Sequence, residues 1–223
     1  YTNRARIDQK MRELGFTPLP DILWRKQSNA PNKFMGSGML PAGAYVTYEH
    51  EYIAIYRKGG KRQFKTLEEK QLRRESAFFW EERNLWFSDL WDLKGTKQKL
   101  NGKEKRERSA AYPFELPFRL IAMYSVKGDI ILDPFMGTGS THAASIALSR
   151  NSIGYEIDKS FEETIEETKL NASEWGSNRQ QKRIGDHIQF VKDREASGKI
   201  VKHYNEYHKF KVMTSQEREI KLQ

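Results

Sequence analysis

The sequence predicts an α/β fold organised around a parallel strand, helix and strand unit, with a basic segment inserted ahead of it. Three observations carry this. The stretch Gly128 to Asp158, GDIILDPFMGTGSTHAASIALSRNSIGYEID, reads as strand, glycine turn, helix, strand and terminal acid. Two earlier runs, DILWRK at Asp21 to Lys26 and EYIAIYR at Glu51 to Arg57, have the composition of neighbouring strands, separated by a loop rich in glycine, proline and asparagine. Between Gly59 and Arg108 the pattern changes, with 14 lysines and arginines against 9 acids and no alternating apolar run.

The elements follow in order. From Arg4 to Leu14 the apolar residues Ile7, Met11 and Leu14 fall at helical spacing, and Gly15 is placed as a helix stop. In the basic segment Phe78, Phe79, Trp80, Trp86, Phe87 and Trp91 cluster, and Lys94 to Arg108 carries seven positive and two negative charges. A helix is expected to open at Pro113, where a missing N–H costs little, and to run through Phe118, Leu120, Ile121 and Tyr124. Strands at Ile130 to Leu132 and Ser152 to Ile157 flank a helix from about Thr138 to Ser149. A further helix follows Lys159, then an amphipathic stretch with Ile184, Ile188 and Val191, and a polar tail read as a peripheral wrap. The sequence opens at Tyr1, in what reads like the middle of a helix, so a preceding portion or a second polypeptide is expected.

Composition narrows the function. The 223 residues suit one α/β domain with a small appended module. Lysine and arginine outnumber acids by 39 to 30, a formal charge of +9, which favours a polyanionic partner. There is no cysteine and the five histidines lack metal-ligand spacing, so no metal site is expected. No apolar run approaches a membrane span, and a soluble, cytoplasmic protein without a membrane partner is the reading.

Gly137 and Gly139 allow the backbone to approach a ligand, and the helix after them offers free N–H groups. Glu156 lies 17 residues after Gly139, at the end of the second strand, where a carboxylate can accept from both ribose hydroxyls. Together these read as an adenosine site, although the glycines alone fit a tight strand-to-helix turn equally well. A nicotinamide site would show a third glycine where His142 stands.

DPFMGTGST, with AAYPFELPFRLIAMYSVKGD before it and RNSIGYEID after it, resembles the permuted amino-methyltransferases of restriction-modification systems, in which the cofactor motifs follow the catalytic ones. DILWRK and EHEYIAIYRK match the paired strands that precede the family's target-recognition region, and the resemblance extends from about Leu14 to Phe161. It implies a Rossmann-like sheet with helices on both faces, S-adenosylmethionine as cofactor, double-stranded DNA as partner and methyl transfer to cytosine N4 or adenine N6. The loop after DILWRK is nearer the cytosine members. Asp133, Phe135, Gly137, Gly139, Ser140 and Thr141 match the cofactor loop, Glu156 matches the ribose-binding acid, and Pro113 with Tyr112 and Phe114 matches the segment closing the methionine end. Pro113 is equally a plain helix start.

The family's [D/S]-P-P-[Y/F] tetrapeptide, which holds the target amine and stacks on the flipped base, has no counterpart in this sequence. No catalytic residue is therefore assigned, and the tetrapeptide is expected upstream of Tyr1 or on a second chain, with a noncatalytic DNA-binding or cofactor-binding subunit, or a homodimer, as the alternatives. An RNA methyltransferase is disfavoured, because no RNA-binding module is apparent. The expected division is 1–58 for the end of the catalytic half, 59–108 for target recognition, 109–175 for the cofactor half and 176–223 for a helical extension. Lys97, Lys99, Lys103 and Lys105 are expected on the DNA backbone, and Arg73 and Arg74 on base edges. Trp80, Trp86 and Trp91 fit a small satellite core better than base stacking.

Overall fold

A computed structural model describes residues 2–26, 40–43, 49–95 and 112–222. Lys97, Lys99, Lys103 and Lys105 lie outside the described residues. The chain clusters into two compact units, Tyr1–Arg62 with Ser88–Gly95, and Gln63–Phe87 with Thr96–Gln223.

In the first unit, helix α1 (Thr2–Glu13) ends at Gly15, whose φ of 78° supplies the left-handed stop that its position suggests. Strand β1 (Phe16–Pro18) pairs antiparallel with β4 (Tyr56–Lys58). Strand β2 (Ile22–Arg25) lies between β3 (His50–Ile53), antiparallel, and β5 (Leu90–Asp92), parallel. The EYIAIYR run is thus two strands rather than one, because Ala54 and Ile55 break the ladder and redirect the chain to a second partner. Ile22 and Trp24 point inward at period two, Trp24 faces Trp91 in register, and the Trp24 indole donates to the Leu93 carbonyl at 2.8 Å.

The second unit holds helices α2 (Leu67–Glu75), α3 (Trp80–Trp86), α4 (Glu115–Tyr124), α5 (Ser140–Ala147) and α6 (Glu162–Ala196), with parallel strands β6 (Ile130–Asp133) and β7 (Asn151–Gly154). Thr66 and Glu69 close a capping box that starts α2. Helix α4 begins two residues after Pro113, whose carbonyl accepts from Leu116 at 2.9 Å. Trp86, Phe118, Ile121, Ala122, Ala144, Ala147 and Leu148 form one buried cluster, against which Ile131 of β6 packs. Residues 63–87 therefore belong to the same compact unit as the strand, helix and strand motif, a grouping that cuts across the composition boundary at 59. Charge density marked that boundary, but the inward face of α3 is aromatic. Trp86 and Trp91 are core residues of their units, while Trp80 is 37% exposed.

One face of β6 and β7 is covered in this way. On the other face Ile130, Leu132 and Ile153 are 66%, 61% and 48% exposed, so helices on both faces are not present among the described residues.

Helix α6 runs unbroken where two stretches were expected. It buries Thr168, Ala172, Gly176, Gln180, Arg183, His187 and Val191, a stripe at helical spacing. The tail carries a hairpin, β8 (His203–Tyr204) with β9 (Lys211–Val212), and buries Val212 and Ile220 against Phe79. It is thus part of the core rather than a polar wrap. Asn205, fully buried, donates to the Glu217 and Ile220 carbonyls at 2.8 and 3.0 Å and accepts from the Tyr207 and His208 N–H groups.

Glu81, His187 and Glu217 bring their side-chain ligand atoms within 4.8 Å of one another. His187 Nδ1 meets Glu81 at 2.8 Å and Nε2 meets the Lys211 carbonyl at 2.9 Å, while Phe79 stacks on the ring at 4.1 Å. A carbonyl only accepts, so Nε2 carries a proton, and the carboxylate beside Nδ1 favours a second proton there. Glu217 accepts from the Trp80 N–H at 2.8 Å and from Thr214, so the cluster is a hydrogen-bond hub fastening the tail to α3 and α6.

Candidate functional site

Strand β6 ends at Asp133, in register with Gly154 at the end of β7. The chain then turns twice through positive φ, 53° at Gly137 and 83° at Gly139, before α5 begins. Only glycine takes such angles without strain, and the turn leads directly into the N-terminus of α5.

The turn is tied to the neighbouring strand end by backbone. The Tyr155 N–H donates to the Asp133 carbonyl, and the Met136 N–H to the Tyr155 carbonyl, both at 2.9 Å. Glu156 completes the connection. Its Oε2 accepts from the Gly137 N–H and its Oε1 from the Asp158 N–H, each at 2.8 Å. One carboxylate thus joins the glycine turn to the end of β7, with lone pairs on both oxygens left over.

On the other side, the Tyr112 hydroxyl donates to Asp133 Oδ2 at 3.2 Å and lies 2.7 Å from the Thr141 hydroxyl. Asp133 Oδ1 accepts from the Phe135 N–H at 3.0 Å. Burial raises the Tyr112 phenol above its ordinary range, with the Asp133 carboxylate acting in the same direction and the Thr141 contact opposing. The phenol therefore stays protonated and remains a donor. Asp133 is held from both sides at the mouth of the turn.

The structure brings Asp133, Gly137, Thr141 and Glu156 together around one turn, with Ser140 at the start of α5, its hydroxyl 3.4 Å from that of Thr138. Phe135 is on the same turn but 86% exposed. Pro113 reaches the turn only through its neighbour Tyr112 among the described contacts. Arg73 lies over the Phe64 ring at 4.9 Å, and Arg74 pairs with Glu219 at 3.1 Å.

Three supports were not assigned from sequence. Thr168 of α6 donates to the Thr138 carbonyl at 2.8 Å, which pins the turn from below. A Cβ on Gly139 would stand 3.4 Å from the Thr168 methyl. A Cβ on Gly154 would overlap the Met136 sulfur, so the bare backbone of β7 makes room for the side chain of the turn. Thr168 lies 30 residues beyond the turn on a separate helix, where spacing gives no sign of it. His142, the residue in place of a third glycine, instead contacts the Ser152 hydroxyl at 2.5 Å.

No helix of the described residues is long and apolar enough to cross a membrane. The chain is 57% identical over its whole length to the type II methyltransferase M.MthZI of Methanothermobacter thermautotrophicus, and 52% identical over 75% of its length to M.MjaI of Methanocaldococcus jannaschii. It spans 61% and 54% of those two proteins. TTHA0409 of Thermus thermophilus, solved in complex with S-adenosyl-L-methionine, superposes with a TM-score of 0.60 at 30% identity, over 77% of this chain and 60% of that one. This likeness gives the α/β methyltransferase fold. The DNA methylase model for N6 and N4 methyltransferases matches residues 1–167, three quarters of the sequence, and the chain belongs to that family.

Proposed function

We propose that this chain forms the cofactor-binding portion of a type II DNA methyltransferase, which moves a methyl group from S-adenosylmethionine to an exocyclic amine of duplex DNA, with cytosine N4 ahead of adenine N6. The observation that carries the reading is Glu156, held by the Gly137 N–H above a doubly left-handed turn at the ends of two parallel strands.

The residues present suit the cofactor. Glu156 has acceptor capacity left for ribose hydroxyls, and the two glycines clear the approach. Phe135 and Ile157, 86% and 97% exposed on either side, offer apolar surface to the adenine or the methionine chain. Asp133, Ser140 and Thr141 supply polar atoms, and Pro113 follows Tyr112 at the closing segment. The cofactor supplies an electrophilic sulfonium methyl; this chain's part is to bind and orient it.

In the same reading 1–58 is the end of the catalytic half, 59–108 carries target recognition, 109–175 is the cofactor half and 176–223 is a helical extension. Arg73 and Arg74 read bases while Lys97, Lys99, Lys103 and Lys105 neutralise phosphates.

Calorimetry with S-adenosylmethionine tests the cofactor assignment. Glu156→Ala is expected to weaken binding by about 1 to 3 kcal/mol, as for a charge-assisted hydrogen bond. Equal affinity in a folded variant removes Glu156 from the site. Labelled-methyl transfer tests the rest: this chain alone is expected to be inactive, and to become active when joined by a polypeptide that carries the tetrapeptide. Transfer by this chain alone overturns the assignment of the missing motif, and the labelled nucleoside identifies the base.

A further inference from the structure

A narrow recess, open to solvent at its mouth, lies in the second unit and is lined by none of the residues of the glycine turn. Lys127, Arg150, Arg183 and Lys221 line it, against a single acid, Glu75. Arg183 is already neutralised, since Glu82 accepts from it twice, at 2.6 and 2.7 Å. The other three cations are not matched in this way.

Arg150 is only 6% exposed, yet its described hydrogen bonds all end on neutral oxygens: the Ser125 carbonyl at 2.8 Å, the Ser125 hydroxyl at 3.0 Å and the Leu148 carbonyl at 2.5 Å. Lys127 Nζ donates to the Lys221 carbonyl at 2.5 Å. Lys221 Nζ lies 5.0 Å from the Tyr207 ring centroid. Neutral acceptors satisfy donors but not charge, and the fields of Glu75 on Lys127 and of Asp129 on Arg150 offset burial only in part, a cost that a bound anion would recover.

Lys127 shows the strain. Burial pushes it down to about 8, opposed by Glu75 and reinforced by Arg150, Lys221 and Arg183. Burial likewise brings Arg150 down to about 10, opposed by Asp129 and reinforced by Arg183. His208 in the tail is lowered by burial and by the fields of Lys127 and Arg183.

We propose that this recess binds a phosphate-class oxyanion through Lys127, Arg150 and Lys221. The enclosed part is no larger than a water molecule needs, so a tetrahedral oxyanion would sit at the open mouth, where it presents several acceptors to donors arriving from different elements. The source is free orthophosphate or a phosphodiester of the DNA backbone. The site is separate from the one assigned to S-adenosylmethionine and does not depend on it.

Sulfate, whose charge is constant across the useful pH range, is the first probe, with chloride at equal ionic strength as the control. The expected result is saturable sulfate-specific thermal stabilisation of this chain, retained in Glu156→Ala. In the double variant Lys127→Met, Lys221→Met the affinity should fall by at least about tenfold, the scale of a lost charge-assisted contact.

A pH series on the unmutated chain does not depend on any variant folding. The groups facing Lys127 are Glu75, Arg150, Arg183, Lys221 and His208. Of these, Lys127 is the one placed near 8, so sulfate affinity should fall as the pH rises through about 8. Displacement of inorganic phosphate by duplex DNA, followed by phosphorus NMR, assigns the site to the DNA backbone; phosphate retained beside bound DNA assigns it to the free anion. The proposal is overturned if sulfate acts no differently from chloride, or if the folded double variant binds it as the parent does.

Discussion

His187 is a fully buried histidine whose Nε2 faces the Lys211 carbonyl and whose Nδ1 faces the Glu81 carboxylate, an arrangement that favours its protonated form. Burial alone would lower its affinity for the proton, but the Glu81 carboxylate and the Lys211 carbonyl outweigh that, and it is raised above the ordinary 6.5. A histidine raised on folding contributes stability that is complete below the unfolded value and is lost as pH climbs through the folded one. The melting temperature should therefore fall as the pH is raised from about 6.5. Glu217, raised mainly by burial, acts in the same direction in a window that starts lower, at 4.5. Replacing His187→Gln should flatten the upper part of the profile; an unchanged slope above 6.5 would show that another group titrates there. His187 was legible in sequence only as one of five histidines without metal spacing. The acceptors that explain it come from residues 106 and 24 positions away.

Helix α6 shows what periodicity can and cannot reveal. Its buried stripe is largely small or polar, Thr168, Ala172, Gly176, Gln180 and Arg183, so a search for apolar residues at helical spacing sees only its last turns. The small residues are there for close approach. A Cβ on Gly176 would stand 2.9 Å from the Ala147 Cα, so α6 packs directly on the backbone of α5. By contrast, Gly185 is exposed, with nothing within 4 Å of the added carbon. Alanine gains about 1 kcal/mol over glycine in a helix, whereas overpacking against backbone costs about 1 to 3 kcal/mol. Gly185→Ala should therefore stabilise the protein by up to about 1 kcal/mol, and Gly176→Ala should destabilise it by up to about 2 kcal/mol. Urea melts distinguish them, and a stabilised Gly176→Ala would mean that the helices separate at little cost.

For the molecule as a whole, the strand, helix and strand unit was the most legible part, because its glycines, Asp133 and Glu156 follow one another within a single stretch of sequence. The partners that hold it, Tyr112 and Thr168, arrive from outside that stretch, and only Tyr112 had been linked to the site. Composition suggested a boundary at 59, but Phe79 and Trp86 tie the flanking helices into the second unit's core. The covering of β6 and β7 on one face has a practical consequence. Ile130, Leu132 and Ile153 form a sticky patch on a molecule of formal charge +9, so like-charge repulsion opposes self-association while apolar contact favours it. Salt weakens the repulsion, with a screening length near 10 Å at about 0.1 M, and leaves the attraction intact. This chain should accordingly scatter more light as salt is added, the reverse of a protein held together by ion pairs. Leu132→Lys should suppress that scattering while shifting stability by less than about 0.5 kcal/mol. If scattering instead falls with salt in the parent, charge rather than the open sheet governs its colloidal behaviour.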